Sequence, residues 1–452
     1  MGKKILIVCN HFAPDNTIAA VRVTKFAKQM KQSDHDVIVL AEKKIDNVED
    51  ETLMQDAIGI PVYRVENSNR VKKLNHLYQK IITPFKSKKY NNLDNRIRIN
   101  KKTKKYEFYP FETAYPFLGS LDYLMELLRQ YDLFHEAKNL IDQNKEIDIA
   151  LTSYGDFFSF FAGRYVHKKN KKIYWIFDIR DAVCRYKFTP RYVRWIAHMY
   201  ERYIWRQADC ITAVSKGICR HVPKKYWKKV HCITNGYDRK DREDIIVDTA
   251  KNKRMRFTYT GSMYGGLQNL SPLFENIAKL IEMGKVRKNN IEFDFAGKKS
   301  AYDIFRSQAD KFQLADICVY YGKLTRKESL KLQMEADILL VSSFDYETDI
   351  GGVITGKALE YMSANKPIIA IINGDIRNSE LAEIIKKANL GCAYEESQHE
   401  KDIQEMYQYL LEKYHEYEKE GKLVHNPEKK ILEKFDYQYL GKKIMKIIDG
   451  IN

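Results

Sequence analysis

The chain has no apolar run approaching the roughly 18 to 20 consecutive residues that a helix needs to cross a bilayer, so no integral membrane segment is expected. Its opening, from Met1 to Asn10, is basic and then apolar like a secretory leader. The apolar part is short and is ended by Asn10 and His11, so it reads as a first strand. Leu6 stands where a myristoylation signal asks for Ser or Thr. Seven cysteines (Cys9, Cys184, Cys210, Cys219, Cys232, Cys318 and Cys392) are odd in number and contain no CxxC pair. That argues against a disulfide framework or a zinc knuckle, and a reducing, cytoplasmic setting follows as the default.

Acidic residues are scarce in one place. From Arg70 to Lys105 there are thirteen Lys or Arg against the single acid Asp94, within a chain of net charge +17. Leu74, Leu77, Tyr78, Ile81, Ile82, Phe85, Ile97 and Ile99 are interleaved with that charge. Such a segment suits an anionic lipid surface, a solvated insertion or, with least weight, nucleic acid. A second basic and aromatic stretch runs from Arg185 to Arg206, where Trp195, Tyr203 and Trp205 suit an interface and an inward-packed helix is the competing reading.

What is present is a globular chain of 452 residues, 44% hydrophobic and 30% charged, too long for one ordinary core. Apolar runs of strand length alternate with helical spacing throughout, which predicts α/β architecture with parallel sheets. The first half offers strands at Lys4 to Cys9, Asp36 to Ala41, Asp148 to Ser153, Lys172 to Phe177, Cys210 to Ala213 and Val230 to Ile233. The second half offers Arg256 to Thr260, Ile291 to Ala296, Ile317 to Tyr320, Ile338 to Ser342 and Pro367 to Ile371. Ser271 before Pro272, and Thr325 three residues before Glu328, are helix-start signals. Turn chemistry from Thr234 to Asp238 marks a linker, giving domains 1–237 and 238–430, with a last helix from Ile431 to Ile451.

Gly351 to Tyr361, GGVITGKALEY, is the segment richest in chemistry. The first N–H groups of a helix lack intrahelical partners and favour an anion, so a diphosphate fits there. Gly351, Gly352 and Gly356 allow close approach, Thr355 is placed to cap the helix or bond phosphate, Lys357 adds a positive charge, and Glu360 can accept from ribose hydroxyls. The same residues also fit a Gly-rich turn before an ordinary packing helix. Further polar or glycine-rich loops follow other predicted strands: Asn10 to Asn16, Tyr154 to Asp156, Asp178 to Asp181, and Gly261 to Gly266 with Ser262 and Gly265. Lys298 follows Gly297 at the end of another strand.

The ordered set of KILIVCNHFAPD, ADCITAVSKG, ITNGYD, YTGSMYGG, DFAGKK and TGKALEYMSANKPIIA resembles family 4 (group 1) glycosyltransferases of bacterial surface-polysaccharide type over nearly the whole chain. The resemblance implies the GT-B fold: two Rossmann-like, doubly wound domains facing a central cleft, with a C-terminal helix crossing back to the first. It also implies retaining transfer from a nucleoside-diphosphate sugar, UDP- or GDP-linked, held by the second domain. The acceptor, a lipid-linked or other saccharide, belongs to the first domain, and the enzyme works peripherally at the cytoplasmic face of an anionic membrane. Neither cofactor nor metal is implied, and no nucleic acid partner. On this reading Lys357, Glu360, Asp181 and His11 are the catalytic candidates. Gly261, Ser262, Gly265, Gly266, Lys298, Gly351, Gly352, Thr355, Gly356, Lys357 and Glu360 form the donor site.

The chain departs from the family pattern in three places. Gly352 stands eight residues before Glu360, where the family carries a first glutamate. The phosphate-binding Arg and Lys expected after the first strand of the second domain are missing from Gly261 to Asn269, leaving Lys298, Lys299 or Lys357 to substitute. Asn16 to Ala19 replaces the usual double glycine of the first loop. For an acceptor-orienting group Asp178, Asp181, Arg180, His11 and Asp15 are on offer, and the Asp–Arg–Asp run also reads as a structural ion pair. The acidic run Asp345 to Asp349 reads as a loop rather than a metal site. Two other functions stay open: a nucleotide-sugar epimerase, and a catalytically silent GT-B protein that binds a partner or membrane through its charge.

Overall fold

Runs of β-branched and aromatic residues bounded by Asp, Gly or Asn form two parallel sheets in a computed structural model. It describes residues 2–44, 49–90, 97–99, 106–108, 116–143, 146–155, 157–181, 191–247, 254–263, 267–344 and 354–451. The chain divides into two compact units, one of 1–95, 109–235 and 437–452, the other of 96–108 and 236–436.

The first unit holds β1 (Lys4–Cys9), β2 (Asp36–Glu42) and β3 (Val62–Val65), then β6 (Ile149–Tyr154), β7 (Tyr174–Ile179), β8 (Cys210–Ala213) and β9 (Val230–Cys232). Between β3 and β6 in the sequence, β4 (Ile97–Ile99) and β5 (Tyr106–Phe108) pair with each other antiparallel and fall in the second unit. The seven-stranded sheet runs β3-β2-β1-β6-β7-β8-β9. Register is set at its centre, where Lys4 to Cys9 lie opposite Asp36 to Ala41 on one side and Ile5 to Val8 opposite Ile149 to Thr152 on the other.

Parallel strands covered on both faces need continuous apolar runs, and β1 supplies one. Ile5, Ile7 and Cys9 join the core under helix Ile18–Gln32, while Leu6 and Val8 join the opposite core with Leu133, Phe158 and Trp175. Helix Tyr437–Asp449 completes the first core. Its Tyr437 ring meets Phe26 edge to face at 6.2 Å, and its Gly441 lies so close that a Cβ there would be 2.7 Å from Gln29 Cγ.

The second unit holds β10 (Met255–Thr260), β11 (Ile291–Ala296), β12 (Cys318–Gly322), β13 (Ile338–Phe344), β14 (Ile368–Asn373) and β15 (Gly391–Glu395), in the order β12-β11-β10-β13-β14-β15. With strands counted in chain order this is the 3-2-1-4-5-6 arrangement of a Rossmann sheet. Both helix-start signals are realised: Pro272 sits in the first turn of Ser271–Glu282, and Thr325 with Glu328 forms a reciprocal capping box on Arg326–Glu335.

Two expectations need correction, and a third reading had two alternatives that the fold divides between. β3 and β15 were absent from the predicted strands because both are short edge strands, only partly buried, with weak apolar patterning. The last helix is not continuous: after Lys429–Leu432 and a 3-10 turn at Glu433–Phe435, Asp436 turns extended (φ −74, ψ 135) and bridges to Tyr237. In helix Arg191–Gln207, Trp195 is exposed among Arg191 and Arg194, but Trp205 is 4% exposed in the core and Tyr203 packs under the Arg164 guanidinium.

A fully buried ion pair ties a helix of the first unit to its sheet. Arg22, fully buried on helix Ile18–Gln32, donates from Nε and Nη2 to the two carboxylate oxygens of Asp178 on β7 at 3.0 and 2.7 Å. Nη1 donates to the Thr234 carbonyl at 2.8 Å. Asp178 also accepts from Ser153 Oγ and Thr212 Oγ1. Burial alone would raise the Asp178 carboxyl, but Arg22, Thr212 and the Arg180 charge outweigh it and hold it below its ordinary 3.8. That stabilisation is present at neutral pH and is lost on acidification through and below 3.8. Arg22→Met strands a buried carboxylate and is expected to destabilise the first unit by about 3–5 kcal/mol. Urea unfolding followed by tryptophan fluorescence checks this; an unchanged midpoint would contradict it.

Candidate functional site

Strand order in the second unit reverses between β10 and β13. Right-handed crossovers then send the helices after these two strands to opposite faces, leaving a crevice outside their carboxyl ends. β10 ends at Thr260, and Gly261 follows with φ +105, a backbone region open to glycine. A Cβ on Gly261 would lie 2.8 Å from Lys357 Cε, and one on Gly297 would lie 2.4 Å from the Gly261 carbonyl oxygen. The two glycines thus bring together the end of β10, the end of β11 and the lysine.

Lys357 lies in the first turn of helix Gly356–Met362. Its Nζ donates to Tyr259 Oη at 2.6 Å and to the Ser262 carbonyl, and it sits 4.3 Å from the Tyr259 ring centre. Tyr259 is stacked on Phe295 (5.4 Å, 8°), and its hydroxyl donates to Ser262 O at 2.9 Å. Among the described residues no carboxylate lies within ion-pair distance of the lysine. Burial pushes its ammonium down to about 7, and the charge of Glu360 opposes this only in part. Thr355 caps the helix, accepting from Ala358 N–H at 3.3 Å, so its hydroxyl has taken the first of its two expected roles.

One turn on, Glu360 is held on both oxygens. Oε2 accepts from Arg326 Nη1 at 3.1 Å and Oε1 from Gln333 Nε2 at 2.6 Å. Arg326 also binds Asp241, and Gln333 also reaches Thr260 Oγ1 at 3.0 Å. Tyr361 Oη accepts from Thr260 N–H at 2.9 Å. Beneath them Arg242 bonds Gln333 Oε1, Ser363 Oγ and the Leu330 and Glu360 carbonyls, burial bringing its guanidinium down to about 10. The carboxylate is thereby fixed in orientation while its side chain stays 26% exposed.

The structure brings Gly261, Ser262 and Lys357 into contact and sets Thr355, Gly356 and Glu360 on the same short helix. Lys298 lies exposed at the start of helix Lys299–Asp310. Lys299 is engaged by Asp303 at 2.8 Å and lies over the Tyr302 and Tyr320 rings. Gly265, Gly266, Gly351, Gly352 and the acidic run at 345–349 lie outside the described residues. Among the described residues no group of His, Cys, Asp and Glu is disposed to hold a metal ion.

At the carboxyl ends of the first sheet His11 Nδ1 lies 3.5 Å from Asp15 Oδ2, with Asp15 buried. Asp181 follows β7 and Arg180. Asp178, offered by the sequence as an acceptor-orienting group, is consumed by Arg22. Sequence reasoning missed Tyr259, Gln333, Arg326 and Gly297. Arg326 had a local signal, standing immediately after the Thr325 cap, but its partner is 34 residues away.

A half-buried lysine brought to about 7 becomes a nucleophile early. Its neutral fraction, and so its acylation by acetic anhydride, is expected to rise with a midpoint near pH 7, measured by mass spectrometry at Lys357. A midpoint at 10.5, the ordinary lysine value, would contradict the desolvated setting.

No protein-family model and no curated protein matches the chain. Solved structures do. A sucrose-phosphate synthase from Thermosynechococcus elongatus is 11% identical, with 99% of this chain and 98% of that chain covered and a TM-score of 0.59. HepE from Anabaena in complex with UDP-glucose is 12% identical, with 99% of each covered and a TM-score of 0.58. The lipopolysaccharide outer core galactosyltransferase WaaB is 14% identical, with 98% and 99% covered and a TM-score of 0.55. Together with the two parallel sheets, this likeness establishes the GT-B fold.

Proposed function

We propose that the chain is a family 4 glycosyltransferase that moves a sugar, with retention, from a nucleoside-diphosphate sugar to a lipid-linked or oligosaccharide acceptor in surface-polysaccharide assembly. The observation that carries the donor half is Lys357, a desolvated ammonium without a carboxylate partner among the described residues, held at the switch point against Gly261. We read it as the substitute for the Arg and Lys that Gly261 to Asn269 lacks. When the donor's C1–O bond breaks, negative charge grows on the leaving diphosphate, and Lys357 is placed to stabilise it. Glu360, oriented by Arg326 and Gln333, takes the ribose hydroxyls. The first unit takes the acceptor, with His11 and Asp181 orienting its hydroxyl. The reading assigns no metal and no cofactor.

Peripheral attachment to the cytoplasmic face of an anionic membrane belongs to the same proposal. On helix Asn69–Tyr90, Leu74, Leu77 and Ile81 are exposed at helical spacing beside Lys73 and Lys80. That is the composition of an interfacial helix. The exposed Trp195 between arginines offers a second anchor.

Diphosphate binding draws Lys357 back to its charged form. Donor binding is therefore expected to take up a proton, and affinity to fall as pH rises above about 7. Calorimetry in buffers of different ionisation enthalpy checks the sign. Lys357→Ala is expected to cost roughly 1.5–3 kcal/mol of donor binding, with Glu360→Ala also weakening it; wild-type affinity in both folded variants would remove them from the site. Replacing Leu74, Leu77 and Ile81 together by Ser is expected to reduce sedimentation with anionic vesicles while donor binding is retained. Undiminished sedimentation would take the membrane role from this helix.

A further inference from the structure

Most arginines packed into the two units are supplied with polar acceptors, and Arg164 is covered by the Tyr203 ring, but among the described residues Arg180 at a strand end has neither. Arg22, Arg64, Arg242, Arg256 and Arg326 each donate to carboxylates, side-chain oxygens or carbonyls. Arg180, immediately after β7, makes no side-chain hydrogen bond or ion pair among the described residues, although its backbone N–H is tied to Tyr154 O at 3.0 Å. Its Nε is shut off from water with no acceptor, whereas neither Nη is so enclosed and the residue as a whole is half-buried.

Two features hold it there. The guanidinium lies against Gly155 at the end of β6, where a Cβ would stand 2.5 Å from Nη2, so the missing side chain makes the room it occupies. Asp178, two residues earlier, feels the Arg180 charge but is matched bidentately by Arg22, so among the described residues Arg180 has no carboxylate in ion-pair contact. β7 neighbours β6, and β6 borders the point where the first sheet reverses its order against β1, the side of such a sheet where ligands bind.

We propose that Arg180 binds an oxyanion, a phosphate or a carboxylate, carried by the acceptor substrate. Its planar Nη1/Nη2 edge presents the paired donors that such groups take bidentately. The acceptor is then anionic at a point near its reacting hydroxyl, as a glycosyl phosphate or an acidic sugar would be. The identity of the ligand rests on assigning the acceptor to the first unit; the anion site itself does not.

The test is nuclear magnetic resonance of the full chain labelled at arginine, with the Arg180 Nε–H signal assigned by its absence in Arg180→Lys. Titrations use methyl phosphate and, separately, acetate. Saturable movement of that signal by methyl phosphate assigns a phosphate, and movement by acetate assigns a carboxylate. Gly155→Ala keeps the charge but pushes the guanidinium aside, and is expected to weaken the titrated anion at least fivefold. A signal unmoved by both anions, or wild-type affinity in Gly155→Ala, overturns the proposal. Calorimetry of the same variant with the nucleotide sugar is expected to match wild type, which shows that the chain is folded. Anion binding at Arg180 in a chain that binds no nucleotide sugar would keep this site and remove the donor reading.

Discussion

A parallel sheet whose strand order reverses cannot be sealed at the reversal. The two flanking crossovers leave to opposite faces, and the space beyond the carboxyl ends of the central strands has no helix of its own to fill it. Both units of this chain are built around such a reversal, at β1 and β6 in one and at β10 and β13 in the other. Chemistry-bearing side chains gather at these ends because backbone amides and loop residues are exposed there, while apolar strands such as Ile5–Cys9 and Ile368–Ile372 are buried behind them.

The charges at the strand ends fall into two kinds. Arg22 with Asp178, and Arg242 with its ring of acceptors, are wholly satisfied; replacing one member leaves the other stranded in a medium of low dielectric, so they hold geometry. Lys357 and Arg180 are positioned by close packing, against Gly261 and Gly155, and their charge is not matched by a carboxylate among the described residues. Fixing a cation without its counterion is costly to the folded chain and is the preorganisation a binding site for anions requires. The distinction separates structural arginines from candidate ligand-binding cations without reference to any relative.

Much of this was legible in the sequence. The alternation of apolar strand-length runs gave the parallel α/β architecture, and the Thr355–Gly356–Lys357 start gave a real helix with a real cap. What escaped depends on long-range packing. Nothing local says that the hydroxyl of Tyr259 turns to an amine 98 residues away, or that Arg326 reaches Glu360. Edge strands β3 and β15 were lost because half-buried strands need little apolar patterning. For the aromatic helix Arg191–Gln207 composition leaves both faces open, since Trp205 satisfies it from inside the core and Trp195 from outside. Likewise the Asp178 to Asp181 run reads as an ion pair within itself, yet the fold pairs Asp178 with the distant Arg22 and leaves Arg180 without an acceptor among the described residues.

The claim on which the functional account stands is that the second unit binds a nucleoside-diphosphate sugar. Calorimetry of the whole chain against UDP-, GDP-, ADP- and CMP-linked sugars, each with and without EDTA, tests it most directly. The account predicts selective binding of one nucleoside diphosphate and its sugar, UDP- or GDP-linked, unaffected by EDTA. No binding across the panel by folded protein would contradict it and leave the fold serving a role other than sugar transfer.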